Sequence, residues 1–226
     1  MNSISDIKHA FYINLDSRPD RKEYIENHLK KVGLNAKRFN AVKLKNGAIG
    51  CSLSHLKLLE MAKENDLDYI MILEDDIQFT KPEIFISQFN KFLQLNDNYD
   101  VVLIAGNNMP PFLTNDETCV KVTKCQTTTG YMVRKHYYTT LIENYREGIK
   151  LLMENPNEHR FYAIDKYWFH LQQRDKWYLI TPLTVTQRCD YSDIEKRPTN
   201  YSRVMLDLDK KNFFNKPKPS LNMNLT

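Results

Sequence analysis

The sequence predicts an α/β fold with a mainly parallel central sheet, on three observations. Residues 10–15, 69–73 and 101–105 are short apolar runs that read as strands, and the latter two are continuous enough to be covered on both faces. Segments with apolar residues at helical spacing separate these runs. The resulting order of strand, helix, loop, helix, strand, helix, strand is that of a parallel-sheet domain.

Each element has its own local signals. Residues 10–15 (AFYINL) are rich in β-branched and aromatic side chains, as a strand requires. Pro19 suits the first turn of the following helix, and Asp20 and Glu23 suit its positive end. Ile25, Leu29 and Val32 form its apolar face, Lys30 and Lys31 fall in its last turn, and Gly33 stops it. Residues 46–50 (NGAIG) are expected to form a glycine-containing loop. A helix then starts near Ser52, an N-cap by residue type, with Leu53, Leu56, Leu59 and Ala62 on one face. Thr80 and Glu83 have capping-box spacing before a helix striped with Phe85, Phe89, Phe92 and Leu93.

Beyond Lys121 the strand signals weaken. Residues 126–133 read as a strand or strand-loop, 135–154 as a helix, 165–174 as a short aromatic helix, and 177–186 as a strand pair broken by Pro182. From Lys196 the chain is rich in Lys, Asn, Asp and Pro. The expected organisation is therefore one domain over residues 1–195 and a polar, loosely ordered tail over 196–226.

Composition narrows the classes. The chain has 226 residues, 42% hydrophobic, enough for a real core, and its 27% charged fraction is ordinary for a soluble domain. The net charge of +4 comes with scattered basic residues, without the dense Lys/Arg blocks of a nucleic-acid arm. Cys51, Cys119, Cys125 and Cys189 form no CxxC pair, which argues against a zinc ribbon. They are expected as reduced thiols, although Cys119 and Cys125 are spaced to close a small loop. Neither a signal-peptide core nor a membrane-spanning run is evident, so a cytoplasmic location is expected. Oligomeric state leaves no trace in the sequence.

The chemistry is concentrated in YIMILEDD, residues 69–76. Glu74, Asp75 and Asp76 stand at the carboxyl end of an expected central strand, where open α/β sheets bind ligands. Three neighbouring carboxylates raise one another's pKa values unless a cation neutralises them. A divalent ion with hard oxygen ligands, manganese or magnesium, suits them and can also take up charge on a departing diphosphate. The bland alternative is a solvated acidic turn, but a turn does not need three acids.

Two further segments follow the same logic. Ile13, Asn14 and Leu15 end the first strand and are expected beside a nucleotide. Arg18 and Arg21, at the start of the next helix, can face its phosphates, unless they are merely a solvated helix start. In GCSLSH, residues 50–55, Ser54 and His55 are candidate nucleotide or acceptor contacts, against the alternative that His55 is a packed core histidine.

These residues also carry a resemblance. YINLDSRPDR (12–21), GAIGCSLSH (47–55), YIMILEDDI (69–77), TTTGYMV (127–133), AIDKYW (163–168), then Gln187 and YSDI (191–194) resemble glycosyltransferase family 25 in motif and order. That family includes lipooligosaccharide galactosyltransferases and collagen hydroxylysine galactosyltransferases. The resemblance implies a GT-A fold, which is Rossmann-like, and a UDP-sugar donor, UDP-galactose by family default with UDP-glucose open. It also implies a divalent ion and inversion at the anomeric carbon. The acceptor would be a glycan or a hydroxylysine.

On this resemblance the acidic metal motif falls on Glu74, Asp75 and Asp76, with Glu74 and Asp76 as ligands. Glu replaces Asp at the first position of a DxD-like reading. Related GT-A enzymes complete the metal shell with a late histidine. No histidine follows His170 here, so on the resemblance that ligand is either missing or replaced by Asp190 or Asp193. Inversion needs a base for the acceptor hydroxyl, and Asp165, at an expected helix start, is the candidate, with a plain N-cap as the alternative. Tyr167, Trp168 and Tyr131 are each either an acceptor platform or core.

Two other classes compete. A metal-dependent phosphotransferase or nucleotidyltransferase would use the same acids, but the chain has no GxxxxGK[ST] loop and only 6 glycines. A non-catalytic transferase-like binding module would not need both the acidic triplet and Asp165.

Overall fold

The computed structural model describes residues 1–192 and 194–211. Its first half runs β1 (Ala10–Asn14), α1 (Pro19–Val32), β2 (Lys37–Asn40), α2 (Gly47–Glu64), β3 (Tyr69–Glu74), β4 (Ile77–Phe79), α3 (Pro82–Leu95) and β5 (Val101–Leu103). Short strands follow: β6 (Asn107–Asn108), β7 (Phe112–Thr114), β8 (Cys119–Val122), β9 (Cys125–Gln126) and β10 (Gly130–Arg134). The rest comprises α4 (Tyr138–Glu154), α5 (His159–Tyr162), α6 (Ile164–Tyr167), α7 (Phe169–Arg174), β11 (Trp177–Ile180), β12 (Val185–Gln187), β13 (Asp190–Ser192), β14 (Arg197–Thr199) and α8 (Ser202–Met205).

Eight strands form the central sheet in the order β2-β1-β3-β10-β5-β11-β8-β7. The β1–β2, β1–β3 and β5–β11 pairs are parallel, and only β10 and β8 run against the other six strands. The expected α/β fold with a mainly parallel sheet is therefore the observed one. Because β10 is antiparallel to β3, its first residue, Gly130, pairs with Leu73 near the end of β3. The loop before β10 thus shares an edge with Glu74, Asp75 and Asp76.

The continuous apolar run of β3 is explained by its two covered faces. Met71 and Leu73 face a core with Ile25 and Leu29 of α1 and Phe85, Phe89 and Phe92 of α3. Ile70 and Ile72, one residue out of phase, face Leu56 and Leu59 of α2 and Leu141 and Tyr145 of α4. Each fully buried Phe of α3 contributes on the order of 1.5–3 kcal/mol through burial.

Several boundaries depart from the sequence expectation. The 46–50 segment is not a loop. Asn46 caps α2 by accepting from the Ala48 and Ile49 amides at 3.1 and 3.3 Å, which starts the helix at Gly47. Ser52 is therefore inside the helix, with its hydroxyl bonded to the Ala48 carbonyl at 2.8 Å. A side chain at Gly50 would meet the Val42 carbonyl at 2.5 Å, so glycine lets the 42–44 segment cross the helix closely. Gly33 ends α1 as expected, in the left-handed region at φ 67°.

The Thr80 capping box does not form, because the Thr80 hydroxyl donates to the Thr184 carbonyl at 2.8 Å and Lys81 occupies the cap. The 165–174 helix is split into α6 and α7, and residues 177–186 contain β11 and the start of β12. The expected loose tail is folded through residue 211. β14 pairs with β13, Met205 of α8 is buried, and the Lys210 ammonium bonds the Val204 and Asp207 carbonyls. Residues 212–226 lie outside the described residues. All four cysteines are free thiols.

Candidate active site

A cleft of about 770 Å³ opens at the carboxyl edge of the sheet. Ile13, Asn14 and Leu15 at the end of β1 line it, together with Glu74, Asp75 and Asp76 and the first turns of α1 and α2. Thr127 and Thr128, Asp165 of α6 and the 187–201 segment complete the wall. The two parts of the acidic and basic constellation are thus brought together by the parallel pairing of β1 with β3.

The three consecutive acids have different environments. Glu74 Oε1 accepts from the Thr128 hydroxyl at 2.8 Å and lies 3.4 Å from His55 Nε2 and 3.5 Å from Cys51 Sγ. Its Oε2 is 3.5 Å from Gln187 Nε2. Burial alone would raise the Glu74 pKa, but the bonds from His55, Thr128 and Cys51 outweigh it and the net shift is downward. Cys51 and His55 are one turn apart on α2, so both reach the same carboxylate. Burial, with Glu74 alongside, raises the Cys51 thiol well above its ordinary pKa, so it is a neutral thiol and no nucleophile.

His55 is fully buried, and its Nδ1 lies 2.9 Å from the Tyr131 hydroxyl, which accepts from Tyr145 at 3.1 Å. It does not line the cleft. The expectation of a nucleotide or acceptor contact is corrected: α2 turns His55 toward the sheet, where it backs Glu74. Ser54 does line the cleft, but its hydroxyl donates to the Gly50 carbonyl and accepts from the Val42 amide, both at 2.8 Å.

Asp75 joins the two strands. Its Oδ2 accepts from Asn14 Nδ2 at 2.8 Å, and its Oδ1 accepts from Arg21 Nη1 at 3.0 Å. Arg38 in turn donates to Asn14 Oδ1 at 2.9 Å. Arg21 and Arg18 both reach Asp190 Oδ2 at 3.2 Å, and Arg188 is 3.5 Å from it. Asp190, expected as a stand-in metal ligand, is therefore the counter-ion of three arginines. Burial pushes its pKa up, but the Tyr191 amide and those arginines hold it below the usual carboxylate value. Asp193 lies outside the described residues.

Asp76 is the least satisfied of the three. Its Oδ1 is buried and has no hydrogen-bond donor, and its Oδ2 is 4.0 Å from Arg21 Nη1. Burial, then the neighbouring Glu74 and Asp75 charges, raise its pKa well above the ordinary value. An orphaned carboxylate oxygen beside two other acids fits a hard divalent cation. Glu74, already engaged on Oε1 by three donors, fits less well than Asp76. Cys51 Sγ, His55 Nε2 and Glu74 Oε1 lie within 4.8 Å of one another, but a thiol and an imidazole are softer donors than manganese or magnesium prefer.

Asp165 is the second residue of α6, and Ala163 is the cap. Its Oδ2 accepts from the Thr127 amide at 3.1 Å, and burial raises its pKa. The aromatic side chains nearby are core. Trp168 and Tyr131 are fully buried, with the Trp168 indole donating to the Cys125 carbonyl at 3.0 Å, and Tyr167 packs over Gly148. None of the three lines the cleft, so the acceptor-platform reading is corrected.

Sequence reasoning passed over Arg188, Arg38, Lys43 and Lys45. No local signal marks them, because they reach the site only through the fold. For Cys51, the four-residue spacing to His55 was a usable signal of a shared partner.

The family model described as "Glycosyltransferase family 25 (LPS biosynthesis protein)" matches residues 43–168, more than half of the chain. The chain belongs to glycosyltransferase family 25. The family match spans Glu74–Asp76 and Asp165 and leaves β1 and Arg18, Arg21 and Arg188 outside it. A Haemophilus influenzae protein is 47% identical over 55 residues, which are 24% of this chain and 20% of that one. A glycosyltransferase 25 family member of Drosophila pseudoobscura is 31% identical over 101 residues, 32% of this chain and 16% of that one. The chain spans at most about a third of the length of the curated relatives it matches. A solved glycosyltransferase involved in glycosylation of the major capsid of PBCV-1 superposes with a TM-score of 0.51 at 13% identity, over 83% of this family 25 chain and 95% of that one. That likeness is one of fold, of the GT-A type. Among the described residues, no helix is long and apolar enough to cross a membrane.

Proposed function

We propose that this family 25 chain transfers a hexose, galactose or glucose, from a UDP-sugar to a hydroxyl acceptor, with inversion. The observation that carries the reading is a single cleft lined by two separate carboxylates on different elements, Asp76, whose buried Oδ1 has no hydrogen-bond donor, and Asp165, held by the Thr127 amide. An inverting displacement needs both: charge must be absorbed where UDP leaves and a proton removed where the acceptor attacks.

Asp76, with Glu74 behind it, would hold a manganese or magnesium ion, which supplies charge neutralisation for the leaving diphosphate. Ile13, Asn14 and Leu15 would lie along the nucleotide. Asp75 holds Arg21 in place through its 3.0 Å ion pair, so Arg21 and Arg18 border the position where a diphosphate would sit. Glu74 is kept ionised by the Cys51–His55–Thr128 donors. Asp165 would take the acceptor proton. Burial raises its pKa, which makes it a stronger base than an exposed aspartate. The free thiols fit a reducing compartment such as the cytoplasm.

The test is incubation with UDP-galactose and UDP-glucose, with and without manganese, while free UDP is monitored. Metal-dependent UDP release that quickens with a hydroxyl acceptor supports the reading. Phosphoryl or nucleotidyl transfer, or inert binding, would replace it.

A further inference from the structure

The two sides of the cleft differ in charge balance. On the donor side, Arg18, Arg21 and Arg188 are met by Asp75 and Asp190 at 3.0–3.5 Å. On the side of Asp165, the cleft is lined by Lys43, Lys45, His159, Arg160 and Lys166. Lys43, Lys45 and Lys166 make no ion pair among the described residues, and Arg160 has only the exposed Glu158 at 3.2 Å. Two separate segments supply this charge, and the fold fastens them together. Asn46, next to Lys45, donates to the Pro156 carbonyl at 3.3 Å, and Ala48 and Ile49 of α2 pack with Tyr162 of α5. Lys166 is half-buried; burial lowers its pKa, and the neighbouring Asp165 carboxylate offsets part of that shift.

Basic side chains in excess at one end of a cleft, Lys43 and Lys45 among them without ion pairs, raise the local concentration of anions and repel cations. We propose that the acceptor is an acidic glycan bearing a phosphate, received by Lys43, Lys45, His159, Arg160 and Lys166. This rests on the glycosyl-transfer reading for the identity of the cleft. It separates the two acceptors that the sequence left open, because hydroxylysine carries an ammonium group that this surface repels.

The test reads binding directly, so it is independent of turnover. Galactose 6-phosphate, galactose and free hydroxylysine are titrated calorimetrically into the full chain, with and without saturating UDP and manganese. The expected result is that galactose 6-phosphate binds at least about tenfold tighter than galactose, roughly 1.4 kcal/mol. Binding should survive saturating UDP and weaken as salt rises toward 0.5 M. In the Lys43→Glu/Lys45→Glu double variant the preference should fall several-fold, with Lys166→Gln giving a smaller loss. Equal binding of the neutral and phosphorylated sugars, displacement of the sugar phosphate by UDP, or tighter binding of hydroxylysine would each overturn the proposal. Failure of UDP-sugar turnover with this preference intact would count against the transfer reading alone.

Discussion

Replacing Asp165 with Asn removes one proton acceptor and little else. The carboxylate's bond from the Thr127 amide, 3.1 Å, can be kept by the Asn carbonyl oxygen, so the position of α6 is expected to hold. Ala163, not Asp165, caps that helix, which removes capping as a source of instability. A placed general base is worth on the order of 10²–10⁴ in rate, or about 2.7–5.5 kcal/mol of barrier. The loss should fall on kcat, with UDP affinity within about twofold of the parent, because the interaction is made in the transition state. The pH profile gives a second reading. Burial raises the Asp165 pKa, so the acid limb of the parent's kcat profile should lie above the usual carboxylate range. That limb should vanish in Asp165→Asn. Steady-state UDP release from pH 4 to 8, beside UDP titrations, measures both. Near-parental turnover with an unmoved acid limb would refute the role of Asp165.

Asp76→Asn should abolish the manganese-dependent part of UDP binding, measured by titration with and without the metal. The same change should raise the melting temperature in metal-free buffer at pH 7. Asp76 has a raised folded-state pKa, so its stabilising contribution is present at low pH and lost as pH rises, whereas Asn has no proton to lose. His55→Ala leaves Glu74 and the Tyr131 hydroxyl each short of a partner in the interior, and urea unfolding should show a loss of at least about 1–3 kcal/mol. A change under about 0.5 kcal/mol would mean that His55 does not back Glu74. Trp168→Phe loses one bond to the Cys125 carbonyl, which keeps a donor in Gln172 at 2.8 Å. Its stability should drop by about 1 kcal/mol with acceptor KM unchanged, and a large rise in acceptor KM would restore the platform reading.

The sheet was legible because its strands are covered on both faces. Residues 69–73 admit no amphipathic alternation, and α1 carries its own start and stop in Pro19 and Gly33. The edge strand β2, four half-exposed residues, gives no such signal. The start of α2 was misread because Gly47 and Gly50 look like loop residues. Asn46 as a cap and the close passage of the 42–44 segment decide the matter, and that passage is tertiary. Likewise the fold, not the local composition, orders residues 196–211, by pairing β14 with β13.

In the site, residue types announced the acids and arginines, but not how they divide. That Asp75 serves Asn14 and Arg21, that Glu74 serves Cys51 and His55, and that Asp76 has an oxygen to spare depends on side-chain direction after a strand end. Trp168 and Tyr131 fit a platform by type and are core by placement.

The most direct measurement is a crystal structure of the protein soaked with UDP and manganese, with anomalous data to locate the metal. The account predicts one manganese peak bonded to Asp76, the uracil against Ile13, Asn14 and Leu15, and the diphosphate between the metal and the Arg18–Arg21 pair. A manganese ion on Cys51 and His55 without Asp76, or a nucleotide outside the cleft, would contradict it.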